Sequence, residues 1–559
     1  MLTFVVITIF EQTMKPFLTI LFLSITLLVA GQTSPINYMF RVFLTDKGAA
    51  DYSISRPEEF LTKEAIERKL IQNVPVDSSD FPINKDYFVM VQNAGAEVVS
   101  FSKWFDLLVV KVEDSTRIES IAKLPFVERV EYVWRGEAHS NKKDIRPRLQ
   151  KVECKEELDS TSYFGATKKQ YELHNAENLV QSGFRGKGMN IAIIDAGFTN
   201  ADVIPSFDNI RIMGIADIVP NGTIFNSSDH GTKVLSTMVV DLPNQMIGSA
   251  SQADYLLLRS EDTRSEFPVE EDYWIRAVEF ADSMGVDLIN TSLGYNQFDD
   301  PQLSYNYSNL DGKTSLMTKA ADKAFDKGMI LVISMGNEGN KPWKYMTPPA
   351  DARNVLSIGA IGVDSTIASF SSLGPTYDLR IKPDLLSVGK NTVTIGQEGL
   401  IGSTNGTSLS SPFMAGLITS LWSIHPELNR RELIKIVKQS TDRYSNPDKE
   451  TGYGYGIPDF GKSMKAVLQT LESNKKTFSD NNISIYPDKD QYVIKLIDPP
   501  FFIKGYSVNL LDQNGELIDK LKFNDQKLAH FPKSKLKGIK EVFFVVDSPR
   551  SQQTIRIKL

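Results

Sequence analysis

The apolar positions of this chain fall into blocks of different kinds. The densest is 413–422, Phe-Met-Ala-Gly-Leu-Ile-Thr-Ser-Leu-Trp, which offers no wet face at helical spacing. It predicts a helix buried in a core, opened by Pro412 in its first turn. Residues 188–198 contain a run of strand length, Ile191-Ala192-Ile193-Ile194, that stops at Asp195 and breaks at Gly197. Such a run predicts a strand of a parallel sheet, buried on both faces, with a carboxylate at the C-terminal edge where open α/β folds build their sites. A helix-led apolar segment at 278–289 leads into Ser292-Leu293-Gly294.

The two ends of the chain are patterned differently. Strands are expected at 38–44, 97–101, 107–112 and 127–133, with helical stretches at 66–71, 87–93 and 116–124, the second ended by Gly95. Residues 135–159 are charged and poor in core formers, as a linker would be. Past 470, residues 472–482 are polar and linker-like. Short strands then follow at 483–486, 492–497, 506–511, 542–546 and 554–557, with the turn signal Asp512-Gln513-Asn514-Gly515. A small β-sandwich over 483–559 is the expectation.

At the start of the chain, Lys15 precedes the apolar stretch 17–31, which closes on Val29-Ala30-Gly31. This reads as an export signal over 1–31 with Met14 as an alternative start; an N-terminal membrane anchor is the competing reading, because residues 1–10 are also largely apolar. The expected address is secreted or cell surface, with the periplasm as an alternative. At 559 residues there is room for about three domains, and 41% hydrophobic residues supply a sizeable core. A net charge of −7 argues against nucleic acid as a principal partner. The single Cys154 excludes an internal disulfide and falls in the 135–159 segment.

Candidate chemistry lies at element boundaries. Gly406-Thr407-Ser408 presses a serine between a tight turn and the buried helix, whose N-terminus points positive dipole and free N–H groups at any oxyanion formed there. Ser228-Asp229-His230-Gly231-Thr232 puts a histidine just before a helix of small residues; His139, His174, His425 and His530 have no such setting, His139 and His174 lying in polar segments. Each residue alone has an ordinary structural explanation, Ser408 as a helix cap or Asn337 as a loop asparagine. The order Asp195, His230, Ser408 is the combination that chance does not easily supply.

On these residues the chain resembles the subtilisin-like serine peptidases. The resemblance covers about 160–470 and rests on Ile194-Asp195-Ala196-Gly197, Asp229-His230-Gly231-Thr232, Asn290-Thr291-Ser292-Leu293-Gly294, Ser334-Met335-Gly336-Asn337-Glu338-Gly339 and Gly406-Thr407-Ser408, in the family's order. It departs at Ala196, where the family more often has Ser or Thr, and at Leu409-Ser410, where Met-Ala is usual. The resemblance implies a three-layer α/β/α domain with a parallel sheet. It also implies Asp195, His230 and Ser408 as catalytic residues, Asn337 in the oxyanion hole and Ser292, Leu293 and Gly294 as the substrate-binding edge. Residues 36–134 resemble the ferredoxin-like inhibitory propeptide of that family, and 483–559 weakly resemble the C-terminal sorting domains of type IX secretion substrates, without their Pro-Asn-Pro opening.

The function so implied is an exported serine endopeptidase made as a zymogen, acting on proteins or peptides, with its own propeptide as inhibitor and the secretion machinery as a further partner. No cofactor is required for that chemistry; relatives often bind calcium, and no ligand set matches here. A catalytically silent relative kept for binding or adhesion, and the same acyl-enzyme chemistry diverted to ligation or ester hydrolysis, remain open. The side chain preferred by the substrate pocket is not legible.

Overall fold

The computed structural model describes residues 36–49, 52–137, 162–220, 222–480, 482–497, 506–523, 527–549 and 551–559. The expected export signal and nearly all of the 135–159 segment, Cys154 included, lie outside the described residues.

The first domain is one antiparallel sheet with two of its helices packed against one face. Its elements are β1 (Ile36–Leu44), α1 (Lys63–Ile71), α2 (Lys85–Asn93), β2 (Glu97–Ser102), β3 (Leu107–Val112), α3 (Ile118–Ala122) and β4 (Val127–Glu137). The strand order β2-β3-β1-β4 is that of a ferredoxin-like fold. Alternation along β1 sends Phe40, Val42 and Leu44 into a core with Val91, Ile121 and Phe126, while Met39 and Phe43 face the next domain. Strand β4 runs on through residues 135–137, so the stretch expected to be linker begins as strand: those residues pair with β1 up to Ile36↔Glu137.

The central domain is a doubly covered parallel sheet. It comprises α4 (Lys168–Leu173), α5 (Glu177–Gln181), β5 (Asn190–Asp195), β6 (Arg211–Asp217), α6 (His230–Val239), the hairpin β7 (Asp241–Leu242) and β8 (Met246–Ile247), β9 (Asp254–Arg259), α7 (Val269–Ser283) and β10 (Leu288–Thr291). Then come α8 (Leu316–Asp326), β11 (Ile330–Ser334), β12 (Leu356–Ile361), β13 (Leu385–Val388), the hairpin β14 (Thr392–Ile395) and β15 (Ile401–Thr404), α9 (Thr407–Trp422), α10 (Arg430–Gln439) and α11 (Phe460–Thr470). The seven strands are ordered β13-β12-β11-β10-β5-β9-β6 and the registered pairs are all parallel. Two apolar layers cover the sheet, one around α6, α9 and α11 and the other around α7 and α8. Helix α9 is buried over all its residues, as its pattern requires. Sheet and helices form the α/β domain expected from the sequence, and no helix among the described residues is long and apolar enough to cross a membrane.

The C-terminal residues form two packed sheets. They contain β16 (Ser473–Lys475), β17 (Phe478–Ser479), β18 (Ile483–Asp488), β19 (Gln491–Leu496), β20 (Ser507–Leu511), β21 (Leu517–Lys522), β22 (Leu528–Pro532), β23 (Glu541–Asp547) and β24 (Gln552–Lys558). The orders are β16-β24-β23-β20-β21 and β17-β18-β19-β22. The polar segment 472–482 is therefore no free tether. Its residues 473–475 pair with β24 and 478–479 with β18, because backbone hydrogen bonds along an open sheet edge do not depend on apolar side chains.

Candidate active site

Asp195 ends β5, an interior strand of the sheet, with Arg259 of β9 in register on one side and β10 on the other. It is fully buried. Its Oδ1 accepts from His230 Nδ1 at 2.7 Å and from Ala196 N at 2.8 Å, while Oδ2 has no partner among the described residues. Ala196 supplies only its backbone N–H to this carboxylate.

His230 opens α6 and its side chain is 36% exposed. Because Nδ1 donates to Asp195, the neutral ring is held in the tautomer that leaves Nε2 as an acceptor. Burial alone would lower the pKa of the imidazole. The charge and hydrogen bond of Asp195 override it, with Glu261 and Asp229 adding to the same side, and push it up to about 9.

Ser408 sits differently from the sequence expectation. Helix α9 begins at Thr407, more than a turn before Pro412, so the serine lies in the first helical turn and the proline inside the helix. The cap is Gly406, with φ 155° and no side-chain hydrogen bond; neither Ser408 nor Ser410 caps the helix. The displaced proline has a consequence. Lacking an N–H, Pro412 cannot bond the carbonyl of Ser408 four residues back, and that oxygen instead accepts from Ser292 Oγ at 2.9 Å. Asn290 fixes the same corner, donating to Ser292 Oγ at 3.3 Å and accepting from Ser411 Oγ at 2.8 Å. Among the described residues Ser408 Oγ has no hydrogen bond, and helices α6 and α9 that carry His230 and Ser408 pack together.

Asn337 follows β11 and is oriented by the start of α9. Its Oδ1 accepts from Thr407 N at 2.9 Å and from Thr407 Oγ1 at 3.0 Å, which frees Nδ2 as a donor. A Cβ placed on Gly406 would lie 2.7 Å from Ser408 Oγ and 3.9 Å from Asn337 Nδ2, so the hydroxyl and the amide border one small space that a side chain at 406 would fill. Ser292, Leu293 and Gly294 leave the sheet at the end of β10, and none of their backbone N–H or C=O groups is bonded to the described residues. At Gly294 a Cβ would stand 2.3 Å from Thr347 Oγ1, so only glycine lets the two segments meet.

The structure thus brings Asp195 against His230, Asn337 beside Ser408, and the 292–294 edge onto the carbonyl of Ser408. His174, expected in a polar setting, is instead a fully buried core residue held by Pro458 O at 3.3 Å and Ser387 Oγ at 3.1 Å. Sequence reasoning missed the side-chain roles of Asn290, Ser292 and Thr407, which show only when three distant segments meet. Among the described residues no group of three or more His, Cys, Asp or Glu is arranged to hold a metal ion.

Comparison with known proteins gives the same picture. Residues 186–456 match the subtilase family of peptidases, Peptidase S8. Serine protease AprX of Bacillus subtilis is 25% identical over 326 residues, 52% of this chain and 70% of that protein. Subtilisin NAT of Bacillus subtilis subsp. natto is 28% identical over 256 residues, so the chain spans 60% of that relative's length while 45% of the chain is used. In fold, the epidermin leader peptide processing serine protease of Staphylococcus aureus is similar at a TM-score of 0.52 and 17% identity, covering 78% of this chain and all of that one. The central domain therefore defines a subtilisin-like serine peptidase. More narrowly, residues 39–149 match the peptidase S8 propeptide domain of Bacteroidota, and the chain is a subtilase-family protein with that kind of propeptide ahead of its peptidase domain.

Proposed function

We propose that this chain is an exported serine endopeptidase, made as a zymogen, that cuts peptide bonds through an acyl-enzyme on Ser408. The observation that carries the reading is the buried Asp195 carboxylate holding His230 Nδ1 at the C-terminal edge of the sheet. His230 Nε2 takes the proton as Ser408 Oγ attacks the scissile carbonyl, and Asp195 stabilises the imidazolium that results. The oxyanion of the tetrahedral intermediate is met by Asn337 Nδ2 and the backbone N–H of Ser408, donors already oriented before substrate arrives. His230 returns its proton to the leaving amine, and water, deprotonated by the same imidazole, releases the acyl group.

Substrate lies extended along 292–294, adding a strand to an edge whose backbone groups are unpaired. The matched propeptide domain supports synthesis as a zymogen. Export is supported by the apolar stretch behind Lys15.

Intact mass measurement of the expressed protein and its Ser408→Ala variant, each treated with a fluorophosphonate probe, tests this. Wild type alone is expected to lose the N-terminal domain and to gain the label. Absence of both in wild type, persisting after the propeptide is deleted, leaves a silent binding protein. In the active enzyme Asn337→Leu is expected to lower kcat by about 10² to 10³ with the fold intact, the usual cost of one oxyanion donor.

A further inference from the structure

Behind the turn that leads into α9, three segments close around a cavity of about 310 Å³. They are the start of α4 (166–170), the loop 362–364 that leaves β12, and residues 390–393 leading into β14. Parallel pairing of β12 and β13 brings the last two together: Gly389 N and Lys390 N both donate to Ile361 O, at 2.9 and 3.2 Å.

The polar lining is out of balance. Lys169 and Lys390 are exposed at the rim, and their ammonium groups take part in no hydrogen bond or ion pair among the described residues. Gln170, only 2% exposed, lies deeper. Its Oε1 accepts from Val393 N at 2.9 Å, which fixes the amide against β14, and its Nε2 has no partner among the described residues. A buried amide N–H left unpaired is a cost that a bound acceptor removes. The carboxylate on the lining, Asp364, is engaged in its own turn, where Oδ1 accepts from Thr366 N at 3.1 Å and from Thr366 Oγ1 at 2.7 Å, and the lining keeps a net positive charge. The neighbouring charges on α4 satisfy each other, Lys168 pairing with Glu172 at 3.3 Å.

Two ammonium groups alone are an ordinary solvated surface, and one buried amide alone is an ordinary place for a water. Here they line one cavity from separate segments, two charged donors and one neutral, which is the chemistry that holds an anion with several acceptor oxygens. Chloride answers the charge but offers a single centre; a tetrahedral oxyanion has an oxygen for each lysine and another for the amide.

The cavity also backs onto the turn ahead of Ser408. Gly406 N donates to Gly389 O at 2.8 Å and Asn391 N to Asn405 Oδ1 at 2.7 Å, so the residues on either side of Lys390 carry the turn that caps α9. A Cβ on Gly389 would stand 2.8 Å from Gly406 O, so the two segments touch without slack. Tying Lys390 to α4 through a shared ligand therefore restrains that turn.

We propose that this cavity is a binding site for a small oxyanion, phosphate or sulfate, held by Lys169, Lys390 and Gln170 Nε2, and that its occupancy steadies the turn ahead of Ser408. The inference concerns binding and backbone order and does not rest on the peptidase function proposed above.

The test uses the full chain carrying Ser408→Ala, titrated with the sodium salts of phosphate, sulfate, acetate and chloride at pH 8 and constant ionic strength, by calorimetry and thermal melts. Phosphate and sulfate are expected to bind with a Kd of about 1 mM, and acetate and chloride about tenfold more weakly or less well still. Lys169→Gln and Lys390→Gln, changes at exposed side chains, are each expected to weaken phosphate about tenfold, as the loss of one charge-assisted bond does. Gln170→Glu keeps the acceptor for Val393 N but turns the free amide edge into a carboxylate oxygen, and is expected to abolish binding; its melt without added anion reports whether the fold survives. Hydrogen exchange over 389–408 is expected to slow severalfold in phosphate. Phosphate affinity no better than that of acetate or chloride, or unchanged in all three variants, overturns the site. Phosphate binding that leaves exchange over 389–408 unmoved overturns its coupling to the turn.

Discussion

The peptidase domain meets the domain before it and the domain after it with opposite chemistry. The N-terminal domain sits on α7 and α8 through a small apolar patch, Met39, Phe43, Val109 and Trp134 against Phe267 and Tyr273, surrounded by buried ions. Arg41 bonds both oxygens of Asp272 at 2.8 Å and Glu271 at 3.1 Å. Asp282 collects Arg68, Lys69 and Lys103, and Lys327 reaches Asp80 at 3.0 Å. Glu279 accepts from the backbone of Lys103 and Trp104 at 2.9 and 3.0 Å. At the other end Leu511, Phe543 and Val545 belong to the same core cluster as Met464, Val467 and Leu468 of α11. The polar bonds there are a fringe, such as Asn509 Nδ2 to Ser182 O at 2.8 Å and Gln552 Nε2 to Gly183 O at 3.0 Å. An ionic interface can be parted, because each group regains its hydration when the surfaces separate. A shared apolar core cannot, because parting it exposes oil to water. The first suits a domain that is removed; the second makes the C-terminal sandwich a fixed part of the folded peptidase.

Matched truncations are the strongest way to break this contrast. Phe543→Ala is expected to cost about 3–5 kcal/mol of global stability, the usual loss for a buried phenylalanine, visible as a lower Tm of the processed enzyme. Asp282→Ala removes the carboxylate shared by three cations and is expected to weaken propeptide docking by about 3 kcal/mol, measured by inhibition with added propeptide, while the Tm of the processed enzyme barely moves. Equal Tm losses in both variants would erase the distinction.

Acid sharpens it further. Burial lowers the pKa of His174 to about 4, so the unfolded chain binds more protons between about 6.5 and 4, and stability falls as pH drops through that window, by on the order of 3 kcal/mol in full. His174 packs against Phe460 of α11, the helix that carries the C-terminal sandwich. Asp282 has the same sign and a lower window. Burial raises its pKa, but Lys69, Arg68 and Lys103 outweigh that and bring it to about 2, so its contribution to docking is intact above the ordinary 3.8 and lost only toward pH 2. Thermal melts and propeptide retention followed from pH 7 to 4 are expected to diverge, the first falling while the second holds. The smallest effect is expected at Lys465, whose exposed bond to Asn514 Oδ1 at 3.0 Å crosses the C-terminal fringe: Lys465→Ala should change Tm by the equivalent of about 1 kcal/mol or less.

Much of the site was legible. Continuous apolar runs mark strands and helices covered on both faces, so β5 and α9 were readable, and with them the ends where Asp195 and Ser408 sit. His230 was legible because a histidine before a helix of small residues stands out among five. The start of α9 was misjudged because Pro412 looks like a first-turn residue, and only Ser292 Oγ, from another strand, shows how the chain tolerates it inside the helix. Strands β16, β17, β21 and β22, the outer strands of the two sheets, were missed because they are short and bury few apolar side chains. His174 looked polar because its neighbours in sequence are, yet α11 and the β13 strand close over it.

The sequence by itself determined the elements, the order Asp195, His230, Ser408 and the presence of a separate domain at each end, because hydrophobic period and helix or strand termini are local properties. Only the tertiary structure decided how a carbonyl freed by Pro412 is satisfied, which partners hold His174 in the core, and which neighbouring domain is held by ions and which by a common core. Those depend on segments tens to hundreds of residues apart, and the desolvation that gives a buried charge or an unpaired hydroxyl its energy exists only once those segments have met.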